Sequence, residues 1–304
     1  IDSPCTLLCA LNYFLVFVGA TKVVTVLRAV LMFVLCEFKA IDLKKYGPGA
    51  WAVITGTTDG IGKAFAEHLA QQGFNIYQIS RNPEKLKALE EELKAKYKVE
   101  VLSREWDFKK CAQHLGEFVK TVNADIEGKD VAFLVNNAGV GETGFFHDIP
   151  IEKTNDILTV NCLPIVYLTH LLLPKLQNRV LKTAVINLSS TGSLTPLGGA
   201  AVYTATKRFD DCFTVLLESQ KGSITYMNFK PGFTVTNMTA RIKGMTLLIT
   251  ASECASAALR DLGSDLEFAG HYKHKLTAVI MKNFPESLIT QLSLKRVRAS
   301  RNRA

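Results

Sequence analysis

Short apolar runs alternate with longer amphipathic segments along most of the chain. The apolar runs predict strands that are buried on both faces, at residues 50–55, 74–79, 99–103, 131–135, 183–188 and 224–229. The intervening segments predict helices at residues 63–72, 83–96, 110–124 and 252–262, with Ser252 as the cap of the last. Such alternation is typical of a parallel sheet with helices on both faces. We therefore predict an α/β fold, a Rossmann-type doubly wound parallel sheet in a single domain.

The first 45 residues follow a different pattern. Residues 7–20 are almost wholly apolar. Two shorter apolar runs follow, residues 23–27 after Lys22 and residues 29–36 after Arg28. A membrane-spanning helix needs about 20 mainly apolar residues. We predict a membrane anchor in residues 1–45, as one tilted helix or as one helix followed by an interfacial segment. A second pass through residues 23–36 is the alternative.

Basic residues follow this apolar run and do not precede it. That order argues against a signal peptide and places the rest of the chain in the cytosol by the positive-inside tendency. Since the sequence begins with Ile1 and not with Met, we expect further residues upstream. The remaining chain divides into a predicted catalytic domain, residues 46–265, and a C-terminal extension with a basic tail, residues 266–304.

A glycine-rich turn connects the first strand to the first helix of this domain. Its sequence is Gly56-Thr57-Thr58-Asp59-Gly60-Ile61-Gly62. A pyrophosphate can approach the backbone N–H groups of a helix N-terminus only where no side chain blocks it. The turn therefore predicts a dinucleotide site. Gly56, Arg81, Asp107 and Asn136 each follow or end a strand, so we expect them to converge on one crevice.

Arg81 bears on which dinucleotide binds. An acidic residue at the end of the second strand would bind a ribose 2′-hydroxyl, whereas an arginine can pair with a 2′-phosphate. The sequence there is Ser80-Arg81, which favours NADP(H) over NAD(H), with Lys63 as a second basic candidate. The alternative is that Arg81 only begins a solvated loop.

Tyr203 and Lys207 are the candidate chemical centre. They lie four residues apart on a predicted helix and therefore share one of its faces. Reduction of a carbonyl needs a proton donor at the new alkoxide, and a nearby ammonium stabilises the phenolate that a tyrosine leaves behind. Ser190, at the end of the fifth strand, can hold the carbonyl oxygen.

Together these residues resemble the short-chain dehydrogenase/reductase family over about residues 51–262. The matching motifs are Thr55-Gly56-x-x-x-Gly60-x-Gly62, Asn136-Asn137-Ala138-Gly139, Asn161, Ser190, Tyr203-x-x-x-Lys207, and Pro231-Gly232 followed by Thr236. The resemblance implies that Tyr203 is the acid in reduction and the base in oxidation. It implies that Lys207 binds the nicotinamide ribose, that Ser190 orients the carbonyl, and that Asn161 holds a water in a proton relay.

The same resemblance implies a set of cofactor contacts. Asp107 would touch the adenine, and Asn137 would stabilise the sheet beside the cofactor. Pro231, Gly232 and Thr236 would line the nicotinamide side. The whole implied set is Gly56, Thr57, Thr58, Asp59, Gly60, Ile61, Gly62, Arg81, Asp107, Asn137, Ala138, Gly139, Tyr203, Lys207, Pro231, Gly232 and Thr236.

Residues 46–66 and 80–86 resemble a narrower branch, the membrane-anchored very-long-chain 3-oxoacyl-CoA reductases and the related 17-beta-hydroxysteroid dehydrogenases. This implies NADPH-dependent reduction of a 3-oxoacyl-CoA to a 3-hydroxyacyl-CoA in fatty-acid elongation, at the endoplasmic reticulum membrane with the catalytic domain facing the cytosol. A 17-beta-hydroxysteroid dehydrogenase is the alternative. A non-catalytic scaffold is disfavoured, because none of the four catalytic positions is replaced. Expected partners are an acyl-CoA or steroid, membrane lipid, other elongation enzymes and a second copy in a homodimer.

Composition narrows the function further. The net charge is +8, but no zinc-finger or RNA-binding motif accompanies it, so we expect no nucleic acid. Seven cysteines are scattered without a Cys-x-x-Cys pair, which predicts reduced thiols. His271 and His274 lack further ligands nearby, so we expect no metal.

Residues 233–250 are apolar enough for a substrate lid or for ordinary packing. The basic tail is either a solvated end or a contact for lipid headgroups or CoA phosphates.

Overall fold

The computed structural model describes residues 9, 12–21, 23–24, 40–220, 222–240, 247–264 and 267–301. The chain forms two compact units, Ile1–Ala40 and Ile41–Ala304. The first contains an apolar helix, α1 (Asn12–Thr21), whose large apolar side chains from Tyr13 to Val18 are exposed. Residues 41–45 of the predicted anchor belong to the second unit, where Leu43 is buried in the core. Most of the other predicted anchor residues lie outside the described ones.

The second unit is built on a parallel sheet of seven strands. They are β1 (Trp51–Thr55), β2 (Asn75–Ser80), β3 (Val101–Glu105), β4 (Val131–Asn136), β5 (Thr183–Leu188), β6 (Ile224–Phe229) and β7 (Glu267–Phe268). Their spatial order is β3-β2-β1-β4-β5-β6-β7, and every pairing is parallel. The predicted fold is confirmed. The order reverses between β1 and β4, which is where a doubly wound sheet opens a crevice for a ligand.

Helices cover both faces of this sheet. They are α2 (Gly60–Gln71), α3 (Pro83–Tyr97), α4 (Leu115–Ile126), α5 (Ile151–Gln177), α6 (Ala201–Ser219), α7 (Ala251–Arg260), α8 (Tyr272–Asn283) and α9 (Glu286–Arg301). Phe65 of α2 and Cys254 of α7 belong to the apolar core on one face. Phe118 of α4 and Leu172 of α5 belong to the core on the other face. Burial on both faces explains why the central strands read as unbroken apolar runs.

Three predicted boundaries are wrong for local reasons. The Asp107 side chain accepts a hydrogen bond from the Lys109 N–H and starts a short 3-10 turn, so α4 begins at Leu115 and not at residue 110. Ser252 lies inside α7, because the cap is Thr250, which forms a capping box with Glu253. β3 begins and ends two residues later than predicted. The two-residue strand β7 was not predicted, because it is too short to produce a hydrophobic pattern in the sequence.

Helix α5 is long and largely apolar. Among the described residues it is the one helix long and apolar enough to cross a membrane. Half of its apolar stretch is buried, and Leu168 and Leu172 lie in the core against the sheet. The apolar character of α5 is therefore explained by its packing in the domain.

The C-terminal helices hold the loop that precedes α6. Thr195 Oγ1 donates to the Met281 carbonyl over 2.8 Å, and Thr290 Oγ1 donates to the Pro196 carbonyl over 2.8 Å. The Gly198 N–H donates to Ser293 Oγ over 2.7 Å. Helix α9 runs to Arg301, so most of the basic tail is helical and part of it contacts the segment that leads to Tyr203.

Candidate active site

The glycine turn leaves the N-terminus of α2 without a side-chain cap. Asp59 occupies the cap position but makes no capping hydrogen bond, and the first turn contains no acidic residue. The Asp59 carboxylate accepts instead from the Asn237 N–H over 3.1 Å. Backbone N–H groups at the start of a helix have no intrahelical acceptor, and the helix dipole favours an anion there. This end of α2 therefore fits a pyrophosphate.

The glycines at the two ends of the turn are required by close packing. Gly56 has φ of 71°, a conformation that L side chains rarely adopt. A Cβ on Gly62 would lie 2.3 Å from the Gly56 carbonyl oxygen and 2.3 Å from Asn137 Nδ2. Any side chain at position 62 would therefore force apart the turn and the loop after β4. The Thr57 hydroxyl donates inward, to Gln78 Oε1 over 3.1 Å, which leaves the backbone of Thr57 and Thr58 on the outer side.

A small basic cavity adjoins the end of β2. It encloses about 180 Å³ and is lined by Arg81, Lys109, Val140, Gly141, Glu142, Lys153, Asp156 and Ile157. Arg81 is exposed, and Lys109 pairs with Asp156 over 2.6 Å. Lys63, the other basic residue considered from sequence, pairs with Glu92 over 3.1 Å. Lys109 and Lys153 were not singled out from sequence. Lys109 comes two residues after Asp107, which the sequence already predicts at this edge of the sheet.

The loop after β4 is fixed to the end of β1. Thr55 Oγ1 accepts from the Asn137 N–H over 3.0 Å and from the Ala138 N–H over 2.9 Å. Asn137 Nδ2 donates to the Thr55 carbonyl over 2.9 Å. Asn136, in contrast, does not face the crevice as expected, because its side chain is buried and donates to Asn187 Oδ1 over 2.8 Å.

Asn161 connects this loop to two helices. Its Oδ1 accepts from the Val140 N–H over 2.8 Å, and its Nδ2 donates to the Val140 carbonyl over 3.0 Å and to Thr206 Oγ1 over 2.9 Å. The side chain is buried. Asn161 on α5 thereby sets the position of the loop relative to α6, the helix that carries Tyr203 and Lys207.

Tyr203 and Lys207 lie together beside that loop. The Lys207 Nζ is 6.0 Å from the centroid of the Tyr203 ring. A Cβ on Gly141 would lie 3.0 Å from Tyr203 Cδ2, and a Cβ on Gly139 would lie 3.7 Å from Lys207 Nζ. The Gly139 to Gly141 stretch therefore passes over both side chains, and the absence of a Cβ at Gly141 lets it come close to the Tyr203 ring.

Lys207 is held at the end of β5 as a cation. Its Nζ donates to the Leu188 carbonyl over 2.6 Å and to Asp210 Oδ2 over 2.9 Å. Burial by itself would lower the pKa of Lys207, but the Asp210 carboxylate and the Tyr203 hydroxyl outweigh it and raise that pKa above its ordinary value. Asp210 was not anticipated from sequence, since an acid three residues after a lysine is common on helices.

The two serines after β5 have different environments. Ser189 is buried, and its Oγ donates to the Lys207 carbonyl over 3.0 Å, which anchors the strand end to α6. Ser190 is half-buried, and its Oγ accepts from the Gly192 N–H over 3.0 Å. Because that bond uses Ser190 only as an acceptor, its hydroxyl proton remains available for a carbonyl oxygen.

The loop after β6 closes the same edge of the sheet. The Pro231 carbonyl accepts from the Thr191 N–H over 2.9 Å, and a Cβ on Gly60 would lie 2.7 Å from Thr236 Cγ2. Gly232 packs against His274, whose Cδ2 would be 2.7 Å from a Cβ at position 232. Burial lowers the pKa of His274 to about 4, so it is neutral at physiological pH. Its buried position behind this loop was not predicted.

The arrangement fits a class of protein, the dinucleotide-dependent oxidoreductases. Comparison with known proteins agrees. The sequence profile of the short chain dehydrogenase family matches residues 50–246. The very-long-chain 3-oxoacyl-CoA reductase of Macaca fascicularis is 32% identical over 265 residues, which cover 84% of this chain and 82% of that relative.

Two solved structures are similar to this chain. One is a 7beta-hydroxysteroid dehydrogenase, 28% identical, with a TM-score of 0.71 over 82% of this chain and 98% of that one. The other is the L-sorbose reductase of Gluconobacter frateurii in complex with NADPH and L-sorbose, 25% identical, with a TM-score of 0.63 over 73% of this chain and 94% of that one. The chain belongs to the short-chain dehydrogenase/reductase family and is an oxidoreductase with a nicotinamide cofactor.

Proposed function

We propose that this protein uses NADPH to reduce 3-oxoacyl-CoA to 3-hydroxyacyl-CoA in the elongation of long and very long fatty acids. The observation that carries the proposal is the similarity to a reductase of that name along 84% of the chain. It is supported by the grouping of Tyr203, Lys207 and Asn161 around the loop after β4. Ser190 follows the neighbouring strand β5.

The proposed chemistry adds a hydride and a proton across the C3 carbonyl. Bound NADPH supplies the hydride. Ser190 donates a hydrogen bond that holds the carbonyl oxygen, and Tyr203 gives its hydroxyl proton to that oxygen as negative charge develops there. Lys207 provides the positive charge beside the phenolate and a donor for the nicotinamide ribose. Asn161, which fixes the adjoining loop, would hold the water through which Tyr203 is reprotonated.

The proposed cofactor contacts follow the edge of the sheet. The turn from Gly56 to Gly62 and the uncapped start of α2 would hold the pyrophosphate. Arg81 would pair with the 2′-phosphate, supported by the positive charge of Lys109 and Lys153 in the same cavity. Asp107 would contact the adenine. Asn137, Ala138, Gly139 and the Pro231 to Thr236 loop would border the ribose and nicotinamide.

The proposed location is the endoplasmic reticulum membrane, with the catalytic domain on the cytosolic side. The support is helix α1, whose apolar side chains from Tyr13 to Val18 are exposed in the structure; exposed apolar surface of this kind is favourable in lipid. Membrane lipid and other elongation enzymes are the partners that this location implies, and a homodimer is the proposed assembly.

A hydroxysteroid dehydrogenase is the second candidate, because a 7beta-hydroxysteroid dehydrogenase shares the fold at a TM-score of 0.71. The two candidates are separated by measuring NADPH oxidation on the purified full chain in detergent, with a long-chain 3-oxoacyl-CoA and with a 17-oxosteroid. We expect kcat/KM to be at least tenfold higher for the acyl-CoA. Turnover of the steroid alone would replace the first proposal by the second.

A further inference from the structure

A buried ion pair joins the candidate catalytic lysine to a second residue of α6. Asp210 Oδ2 lies 2.9 Å from Lys207 Nζ, and relative exposure is 2% for Asp210 and 5% for Lys207. An ammonium group has three N–H donors. Two of them are used, by Asp210 and by the Leu188 carbonyl, so Lys207 has a single donor left for the crevice.

The pair carries a cost in stability. The second carboxylate oxygen of Asp210 is buried and has no hydrogen-bond partner among the residues that the structure describes. A buried carboxylate with an unmet acceptor is unfavourable, and an apolar residue at this helix position would avoid that cost. Buried ionisable groups that carry such a cost are concentrated at functional sites. Here the partner of Asp210 is Lys207, a residue of the candidate site itself.

Among the described residues, Lys207 is the cation that pairs with Asp210. The neighbouring acid on α6, Asp211, adds a repulsive charge that helps to raise the pKa of Asp210. Its own partners are Lys230 Nζ, at 3.0 Å, and Asn228, from which it accepts over 3.0 Å. From α5, Cys162 faces the pair, and burial raises the pKa of its thiol to about 11, so it is neutral. Tyr203 lies on the other side of Lys207.

We propose that Asp210 is the counter-ion of the catalytic lysine, a positioning residue that holds Lys207 and offsets its charge, and so sets the upper pH limit for proton donation by Tyr203. A carboxylate 2.9 Å from the ammonium cancels much of its field at the phenol. In its absence the ammonium, still held by the Leu188 carbonyl and kept charged by the phenolate beside it, would favour the phenolate more strongly. Reduction needs the protonated phenol, so it would stop at a lower pH. The inference rests on the proposed roles of Tyr203 and Lys207.

The test is the pH dependence of kcat/KM for NADPH-linked reduction by the full chain, comparing wild type with Asp210→Asn. Asparagine keeps the size and one acceptor oxygen but removes the charge. We expect the alkaline loss of activity to begin at a pH lower by about one unit, from the Coulomb interaction at the effective dielectric of a buried site. Asp211→Asn is the matched control, since it removes a charge from the adjacent residue, and its profile should follow wild type. An unmoved profile in Asp210→Asn, or equal shifts in both variants, overturns the proposal.

A second measurement does not depend on activity. Burial raises the pKa of Asp210 to about 6, above its ordinary value, despite the nearby Lys207. The folded chain then holds this proton more tightly than the unfolded chain, so the stability that Asp210 contributes is lost as pH rises from about 4 to 6. The melting temperature of Asp210→Asn relative to wild type should therefore increase across that range, and that of Asp211→Asn should not. A constant difference between Asp210→Asn and wild type would mean that burial does not raise the pKa of Asp210.

Asp210→Ser removes the same charge with a smaller side chain and serves if the asparagine variant does not fold. If neither folds, Asp210 is a structural residue and the proposal is wrong. Failure of the proposed function has a different signature. Wild type would then reduce no 3-oxoacyl-CoA, whereas the pH comparison can be made with whichever ketone it does reduce.

Discussion

Asn161 and Val140 are joined by two hydrogen bonds that fix the loop after β4. Asn161 Oδ1 accepts from the Val140 N–H over 2.8 Å, and Asn161 Nδ2 donates to the Val140 carbonyl over 3.0 Å. The same Nδ2 donates to Thr206 Oγ1 on α6. One buried amide thus sets the distance between the loop of Gly139 to Gly141 and the helix of Tyr203.

Asn161→Ala should therefore lower both stability and activity. It removes three hydrogen bonds, two to the backbone groups of Val140 and one to the Thr206 hydroxyl, and each contributes about 0.5–1.5 kcal/mol net. We expect the free energy of unfolding in urea to fall by roughly 2–4 kcal/mol on that basis. Thr206→Val removes one of the three bonds together with the Thr206 donation to the Tyr203 carbonyl, and should cost less than Asn161→Ala. Equal stability of wild type and Asn161→Ala would mean that the bonds contribute nothing net.

Tyr203→Phe should abolish most of the reductase activity without unfolding the protein. Removing a general acid typically reduces the rate by about 10²- to 10⁴-fold, and we expect kcat to fall within that range while NADPH binding changes far less. Single-turnover kinetics and fluorescence titration of NADPH measure the two effects separately. Tyr97→Phe, on α3, is the control for loss of a phenol. A kcat in Tyr203→Phe close to wild type would assign the proton to another group.

Arg81→Asp should reverse the preference between the two nicotinamide cofactors. An aspartate repels a 2′-phosphate and can accept from a 2′-hydroxyl, so KM for NADPH should rise at least tenfold and KM for NADH should fall. Lys63→Asp is the comparison, because Lys63 is already paired with Glu92 over 3.1 Å, and it should leave the NADPH preference nearly intact. If Lys63→Asp has the larger effect, the 2′-phosphate binds nearer to α2.

His274 should contribute a loss of stability in mild acid, opposite in sign to the contribution of Asp210 over the same range. Burial lowers the pKa of its imidazole to about 4 from an ordinary 6.5. Between these values the unfolded chain binds a proton that the folded chain does not, so the contribution of His274 to the free energy of unfolding decreases as pH falls from 6.5 towards 4. His274→Asn should lose less stability than wild type over this range when thermal melts are compared. His147→Asn, at an exposed histidine, should follow wild type, and the same acid response in all three proteins would exclude His274 as the cause.

The fold was predictable because its signals are local. Apolar runs, the glycine turn and the helical spacing of Tyr203 and Lys207 are all readable along the chain, and β5 and β6 have the predicted bounds. The boundary errors occur where two neighbouring residues can both act as a cap, as with Thr250, whose hydroxyl and not that of Ser252 caps α7. The two-residue β7 forms only because β6 offers an edge.

The missed parts of the site depend on contacts between distant segments. Asp210 matters only because β5 brings the Leu188 carbonyl to the same ammonium. His274 matters only because α8 packs on Gly232, and Lys109 and Lys153 meet Arg81 only in the folded cavity. None of these contacts is marked in the sequence by a periodic pattern or by a motif.

The central claim is that this chain transfers hydride to the C3 carbonyl of a 3-oxoacyl-CoA. It is tested most directly by incubating the full chain in detergent with a long-chain 3-oxoacyl-CoA and NADPH deuterated at C4 of the nicotinamide, and by analysing the product by mass spectrometry. We expect a 3-hydroxyacyl-CoA with deuterium at C3 from one of the two C4 epimers of the cofactor, and none from Tyr203→Phe on the same timescale. Product without deuterium from both epimers of the cofactor would contradict the claim. So would unchanged 3-oxoacyl-CoA in a preparation that reduces an oxosteroid.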